Sequence, residues 1–135
     1  MNAITEQRAV VTRLYTMFDT GDVAALDEVL SADLVDHNPI LAAASPVEGM
    51  RMLVAAVRDA FTGTRHEVVY YSEPGGWSVT QWRMTGTHTG DWFGTPATGR
   101  SVSFAGIDIM RVVNGRITEM RHVEELFQLQ RQITG

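Results

Sequence analysis

Cysteine is absent from this 135-residue chain. That excludes a disulfide framework, a thiolate zinc site and a cysteine nucleophile, and it fits a reducing cytoplasm. No stretch approaches the roughly 20 apolar residues that a membrane span needs. The start, MNAITEQRAVVTRLY, lacks the basic segment and unbroken apolar run of a secretory signal. Positive charge is also short, with 11 Lys plus Arg against 16 Asp plus Glu, a net charge of -5 and a pI near 5.2. Such a balance repels phosphate backbones and anionic membranes, so neither nucleic acid nor a membrane is expected as a partner. There is no internal repeat, low-complexity tract or linker. One domain, 1–135, is expected, in a soluble cytoplasmic protein; the length supports a real core but not two ordinary domains.

What is present changes its hydrophobic period once along the chain. Val10, Val11, Leu14, Tyr15 and Phe18 recur at helical spacing, with Thr5 as a cap and a stop at Thr20-Gly21. Asp22 caps a short second helix through Leu30, and the following DLVDHNP ends in a proline that opposes further helix. After the loop AAASPVEG, the residues Met50, Leu53, Val54, Val57 and Phe61 predict a third helix ending at Gly63. From Arg65 the period is two, and strands are predicted at 66–72, 78–88, 100–112 and 116–124. Turn residues at Pro74 to Gly76, Gly94 to Gly99 and Asn114-Gly115 separate them, and ELFQLQRQI closes the chain with a helical turn or two. Helices followed by antiparallel strands predict an α+β fold, with a four-stranded sheet covered by three helices. If that sheet curves, a pocket remains between its concave face and the helices.

Three ionisable residues, His88, Asp108 and His122, fall inside these apolar strands, where unpaired charge is costly. The register of the last hairpin decides which of them meet. A two-residue loop at Asn114-Gly115 sets odd positions against even ones; a three-residue loop with a bulged Gly115 pairs Val112 with Arg116 and keeps even with even. The apolar pattern favours the second. It groups Phe104, Asp108, Met110, Met120 and His122 on one face and Ile107, Ile109, Ile117 and Val123 on the other. Asp108 then lies diagonal to His122. Trp82, Met84 and His88 share one parity on the preceding strand and line the same cavity, and Tyr15 on the first helix is a further lining candidate. A histidine titrating near neutrality beside a carboxylate is an acid/base unit, or a buried pair that satisfies itself. The sequence separations of the histidines form no compact ligand motif, so no metal is expected.

The strings GTHTGDWFGTPATGRSVSF, GIDIMRVVNGRITE and RHVEELFQLQRQI, with DHNP and LYTMFDTGDVAALDEVL, resemble the SnoaL-like polyketide cyclase family over nearly the whole chain. The resemblance implies a cone-shaped α+β barrel of the nuclear transport factor 2 type, with N-terminal helices packed in the concave face of a curved, mostly antiparallel sheet. It also implies a homodimer, a deep hydrophobic pocket, no cofactor, and intramolecular aldol ring closure. In the founding cyclases the catalytic aspartate stands at the position of His122 and a pocket histidine at that of Asp108. The two identities are exchanged here. His88 in GTHTG and Asn38 in DHNP match polar pocket positions, and Arg121 stands where relatives often carry tryptophan.

From the residues and the resemblance together, His122 is expected as general base or acid, oriented by Asp108. His88 and Asn38 are expected to bind the oxygen on which charge develops. His37 lines the pocket mouth, and Arg121 meets an acidic substrate group if it reaches the pocket. Glu124 and Glu125 read as solvated residues at a helix start, with a second carboxylate of the site as the alternative for one of them, and His66 reads as a surface residue early in its strand. The expected ligand is a small apolar or aromatic molecule. Alternatives are isomerisation, assistance in hydroxylation, epoxide opening, or a binding module without catalysis.

Overall fold

The computed structural model describes residues 3–72 and 74–135. Helix α1 runs Ala3–Thr20, so it starts before the Thr5 expected as its cap. The second helix is only α2, Leu26–Val29, and the chain turns at once into strand β1, Leu30–Asp36, which was not expected, although the proline in DLVDHNP had rightly opposed further helix. Helix α3, Pro46–Ala60, is set by the Ser45 hydroxyl accepting from the Glu48 N–H at 3.1 Å and by Pro46 at its first position. It passes without a loop into β2, Phe61–Ser72, where Gly63, at φ 64, sits in a bulge rather than a helix end. The rest is β3 Trp77–His88, β4 Ser101–Val113, β5 Arg116–Glu124 and helix α4 Leu126–Thr134.

The sheet therefore has five strands, not four, in the order β1-β5-β4-β3-β2. All neighbours are antiparallel except β1, which runs parallel to β5 and pairs Asp36 with Met120. The sheet curves around α1 and α3. Leu14 and Val57 of these helices pack with Leu30, Phe61, Met84 and Met110 into one core.

The β4–β5 hairpin reaches the even-with-even register by a route that differs from the expected one. Its loop has two residues, Asn114 and Gly115, both at positive φ (51 and 77), and pairs Val113 with Arg116. The parity is then restored by an extra residue, Thr118: Val112 pairs with Ile117 but Arg111 with Glu119. Two corrections follow. Asp108 lies directly opposite His122 rather than diagonal to it, and Ile117 turns inward, fully buried, away from Ile107 and Ile109 on the outer face.

Beyond Glu124, β5 no longer covers β4, and α4 supplies the missing partners. The Gln132 side-chain amide accepts from Ser103 N–H at 2.7 Å and donates to Ser103 C=O at 2.8 Å, as a neighbouring strand would. Glu125 accepts from the Ala105 N–H at 2.9 Å, so its carboxylate is engaged with β4 backbone rather than solvated.

Candidate functional site

Between the concave face and the helices lies a cavity of about 100 Å³, where about 10–15 Å³ holds one water. Its wall is mostly apolar: Leu14 and Phe18 from α1, Met50 and Leu53 from α3, Trp82 and Met84 from β3, Phe104 and Met110 from β4, Met120 from β5, and Trp92. Pro39, Ile40, Leu41 and Leu126 also line it. Five polar side chains interrupt this wall besides Tyr15: Asp36, His66, Asp108, His122 and Glu124.

Strand alternation places His122 and Glu124 on the inner face of β5, and the parallel pairing of β1 delivers Asp36 beside them. The His122 ring lies between the two carboxylates, Nδ1 on Glu124 and Nε2 on Asp36 at 2.9 Å. Carboxylates accept and do not donate, so an imidazole bonded to one at each nitrogen needs both its N–H groups, which is the imidazolium form. Burial opposes that charge, but the hydrogen bond and charge of Glu124, joined by those of Asp36, outweigh it and raise the His122 pKa to about 9. The neutral histidine base, with Asp108 as its orienting carboxylate, is therefore not what the fold builds. Asp36 and Glu124 orient His122.

Asp108 has a different partner. Its Oδ2 accepts from the Tyr15 phenol at 2.5 Å, and the phenol oxygen meets the Thr80 hydroxyl at 2.5 Å. This chain places α1 directly on the sheet, because Thr80 and Asp108 face each other across β3 and β4. Burial raises the Asp108 pKa to about 6; the Tyr15 hydrogen bond pulls it down, the Glu124 charge pushes it up and the His122 charge lowers it. Burial, then the Asp108 charge, drives the Tyr15 pKa upward, so the phenol stays protonated. The Trp82 indole lies flat across Gly106, its opposite residue on β4, where any Cβ would overlap Cζ2, Cε2 and Nε1 of the ring. Gly106 is what lets Trp82 form the cavity floor next to Asp108.

Of the residues singled out in the sequence, Tyr15, Trp82, Met84, Phe104, Asp108, Met110, Met120 and His122 reach the cavity. His88, Asn38, His37 and Arg121 do not. His88 has the right parity, but β3 carries it past the cavity into full burial, with Nδ1 on Thr98 at 2.9 Å and its ring against Phe61. The Asn38 amide clasps the backbone of His122, donating to its C=O and accepting from its N–H at 3.2 Å. His37 binds Glu119 at 2.8 Å, and Arg121, on the odd, outer face, binds the same carboxylate at 3.2 Å. Asp36, Glu124 and His66 line the cavity as well: Asp36 was not expected there, His66 was expected at the surface, and Glu124 was expected in solvent with a second carboxylate of the site only as the alternative. Glu124 and His66 share even parity with residues assigned to the cavity, a signal that was present; Asp36 had none, because β1 itself was not foreseen. Among the described residues no three His, Asp or Glu side chains are grouped to hold a metal ion. Among them also, no helix is long and apolar enough to cross a membrane.

Comparison with known proteins adds a lineage to this geometry. The family profile described as SnoaL-like polyketide cyclase matches residues 8–133. Aklanonic acid methyl ester cyclase DauD of Streptomyces sp. (strain C5) is 32% identical over 130 residues, covering 92% of this chain and 79% of that protein. Aklanonic acid methyl ester cyclase DnrD of Streptomyces peucetius is 32% identical over 130 residues, covering 92% and 88% respectively. Among solved structures, TsrD from Streptomyces laurentii superposes with a TM-score of 0.80 at 26% identity, covering 94% of this chain and 96% of that one.

Proposed function

Because the chain belongs to the SnoaL-like polyketide cyclase family, we propose that it acts as a single domain, 1–135, closing a ring in a small aromatic or apolar polyketide by intramolecular aldol addition. Asp108 is the general base. It removes a proton from the carbon between activating carbonyls, the resulting enolate carbon forms the new C–C bond to a second carbonyl, and the alkoxide takes a proton drawn from the His122 imidazolium through Glu124 or Asp36; the proton left on Asp108 then returns to His122 opposite it, which resets both groups. The observation that carries this reading is Asp108 itself: a carboxylate in an apolar cavity, hydrogen-bonded to a phenol that stays protonated, with a pKa near 6. A base is most effective when its pKa lies close to the working pH. Tyr15 keeps the Asp108 carboxyl in one orientation, and the apolar wall folds the substrate and excludes water. The reaction requires no cofactor.

The outer sheet face supports a homodimer. Ile107 pairs with Val123, which is 67% exposed, and Val69, Tyr71 and Ile109 extend the same apolar surface. A cytoplasmic setting belongs to the same proposal, and the absence of cysteine fits it.

Aklanonic acid methyl ester, the substrate in the names of two relatives, is the first compound to assay. Asp108→Asn is expected to lower kcat about 10²- to 10⁴-fold while ligand affinity changes little, and wild-type kcat/KM is expected to rise with pH around 6. Unchanged turnover in Asp108→Asn sinks the assignment. Tight ligand binding without turnover in the wild type would instead favour a binding module on the same fold.

A further inference from the structure

The cavity has a second polar pole besides Asp108, two strands away on the same sheet face. His66 lies on the inner face of β2, and its side chain is 6% exposed. Asp19, near the end of α1, binds it twice: Oδ1 to the ring Nδ1 at 2.6 Å and Oδ2 to the His66 backbone N–H at 3.0 Å. With Nδ1 held by the Asp19 carboxylate, Nε2 is the ring nitrogen that His66, a residue of the cavity lining, has left for a ligand. The ring is held by aromatic neighbours, with centroids 5.8 Å from Tyr15, 5.8 Å from Phe18 and 5.5 Å from Trp82. Asp19 is in turn anchored through its own carbonyl, which accepts from Arg58 at 2.6 Å. A histidine needed only to tie α1 to β2 does that through Nδ1 alone and has no reason to line the cavity.

We infer that the Asp19–His66 pair is a ligand-binding subsite, in which His66 Nε2 accepts a hydrogen bond from a hydroxyl on an aromatic ring of the ligand. Tyr15 spans the two poles, with its hydroxyl on Asp108 and its ring beside His66. A flat ring lying along Tyr15 then meets His66 at one end and Asp108 at the other. The subsite selects phenolic or enolic ligands over bare hydrocarbons, because a desolvated acceptor left without a donor is penalised. It rests on reading the cavity as a site for aromatic ligands, though it requires no turnover there.

Calorimetric titration with 2-naphthol and with naphthalene tests it without any reaction. The wild type is expected to prefer 2-naphthol about tenfold, the worth of one neutral hydrogen bond, and His66→Phe is expected to erase that preference while keeping naphthalene affinity. Imidazole ¹⁵N spectra of the wild type supply a readout that does not depend on the variant folding: 2-naphthol should move the His66 Nε2 resonance and leave the His88 nitrogens unchanged. Equal affinity for the two compounds in the wild type, survival of the preference in His66→Phe, or an unmoved Nε2 resonance each overturns the subsite. Loss of the cyclase reading alone leaves these measurements untouched.

Discussion

Replacing His122 with glutamine probes the cation that holds β1 and β5 together. The side chains of His122, Asp36 and Glu124 are 8%, 9% and 14% exposed, so water does little to screen their charges. The folded pKa of His122, about 9, lies above its ordinary 6.5. The folded chain thus holds this proton more tightly than the unfolded one; the resulting stability is complete below pH 6.5 and is lost as pH rises towards 9. At about 1.4 kcal/mol per pH unit, that interval is worth about 3 kcal/mol. Asp108 contributes in the same direction at lower pH, since its raised pKa favours the folded state below 3.8 and the advantage fades as pH passes about 6. The window from 6.5 to 9 isolates His122. In His122→Gln, Asp36 and Glu124 face each other without their cation, and loss of about 3–5 kcal/mol at pH 7 is expected. For a domain of this size that is a fall in Tm of roughly 10–20 °C. Urea unfolding followed by tryptophan fluorescence between pH 5 and 9 measures both effects. The variant should lack the wild-type decline above pH 6.5 and should gain stability on acidification, as a carboxylate takes up a proton. Parallel wild-type and variant curves would refute the imidazolium bridge.

Two further changes test the architecture. Gly106→Ala forces the Trp82 indole off the cavity floor, with an expected cost of about 1–3 kcal/mol and a changed near-ultraviolet circular dichroism of tryptophan; an unchanged spectrum would mean that Trp82 does not lie across Gly106. Ile107→Glu places a charge at the centre of the outer apolar face and is expected to convert a dimer into a monomer in sedimentation at micromolar concentration. A monomeric wild type would remove that face from consideration as an interface.

The parts of the fold that were legible in the sequence are those specified locally. β5 spans Arg116–Glu124 as predicted because alternation and the Asn114-Gly115 turn bound it on one side and the polar run before ELFQLQRQI on the other. The even-with-even parity of β4 and β5, with Met110 and Met120 together inside, was legible from the alternating apolar residues, although that grouping put Ile117 on the wrong face. The position of the bulge was not, since Thr118 is one more residue in an alternating strand until its partners are known. β1 was hidden because a short strand that pairs Leu30, Val35 and Asp36 with β5 owes its existence to partners 84 to 87 residues later, and its proline neighbour reads as a stop. Hence the carboxylate from β1 was missed while the histidine it binds was found. His88 failed by depth rather than by face: parity says which side of a sheet a residue takes, not how far along a twelve-residue strand the cavity extends.

In the proposed mechanism, the exchange of identities that the resemblance implies, histidine for aspartate at 122 and aspartate for histidine at 108, moves the base to the other strand of the hairpin. Charge accounting shows why the exchange holds together. Asp36 and Glu124 carry two negative charges around one imidazolium, leaving the group at minus one beside a buried Asp108, and a second buried anion there is disfavoured. Burial, with the Glu124 charge adding to it, makes Asp108 hold its proton up to about pH 6, a strength that suits the proposed role of base. The positive charge of His122 is one of the influences lowering that pKa, so removing it must raise it further. In His122→Gln the midpoint of the kcat/KM profile should therefore move above 6, beyond any uniform loss of activity from destabilisation. A profile whose midpoint stays fixed, or falls, would separate the two groups electrostatically and leave Asp108 to be explained by burial alone.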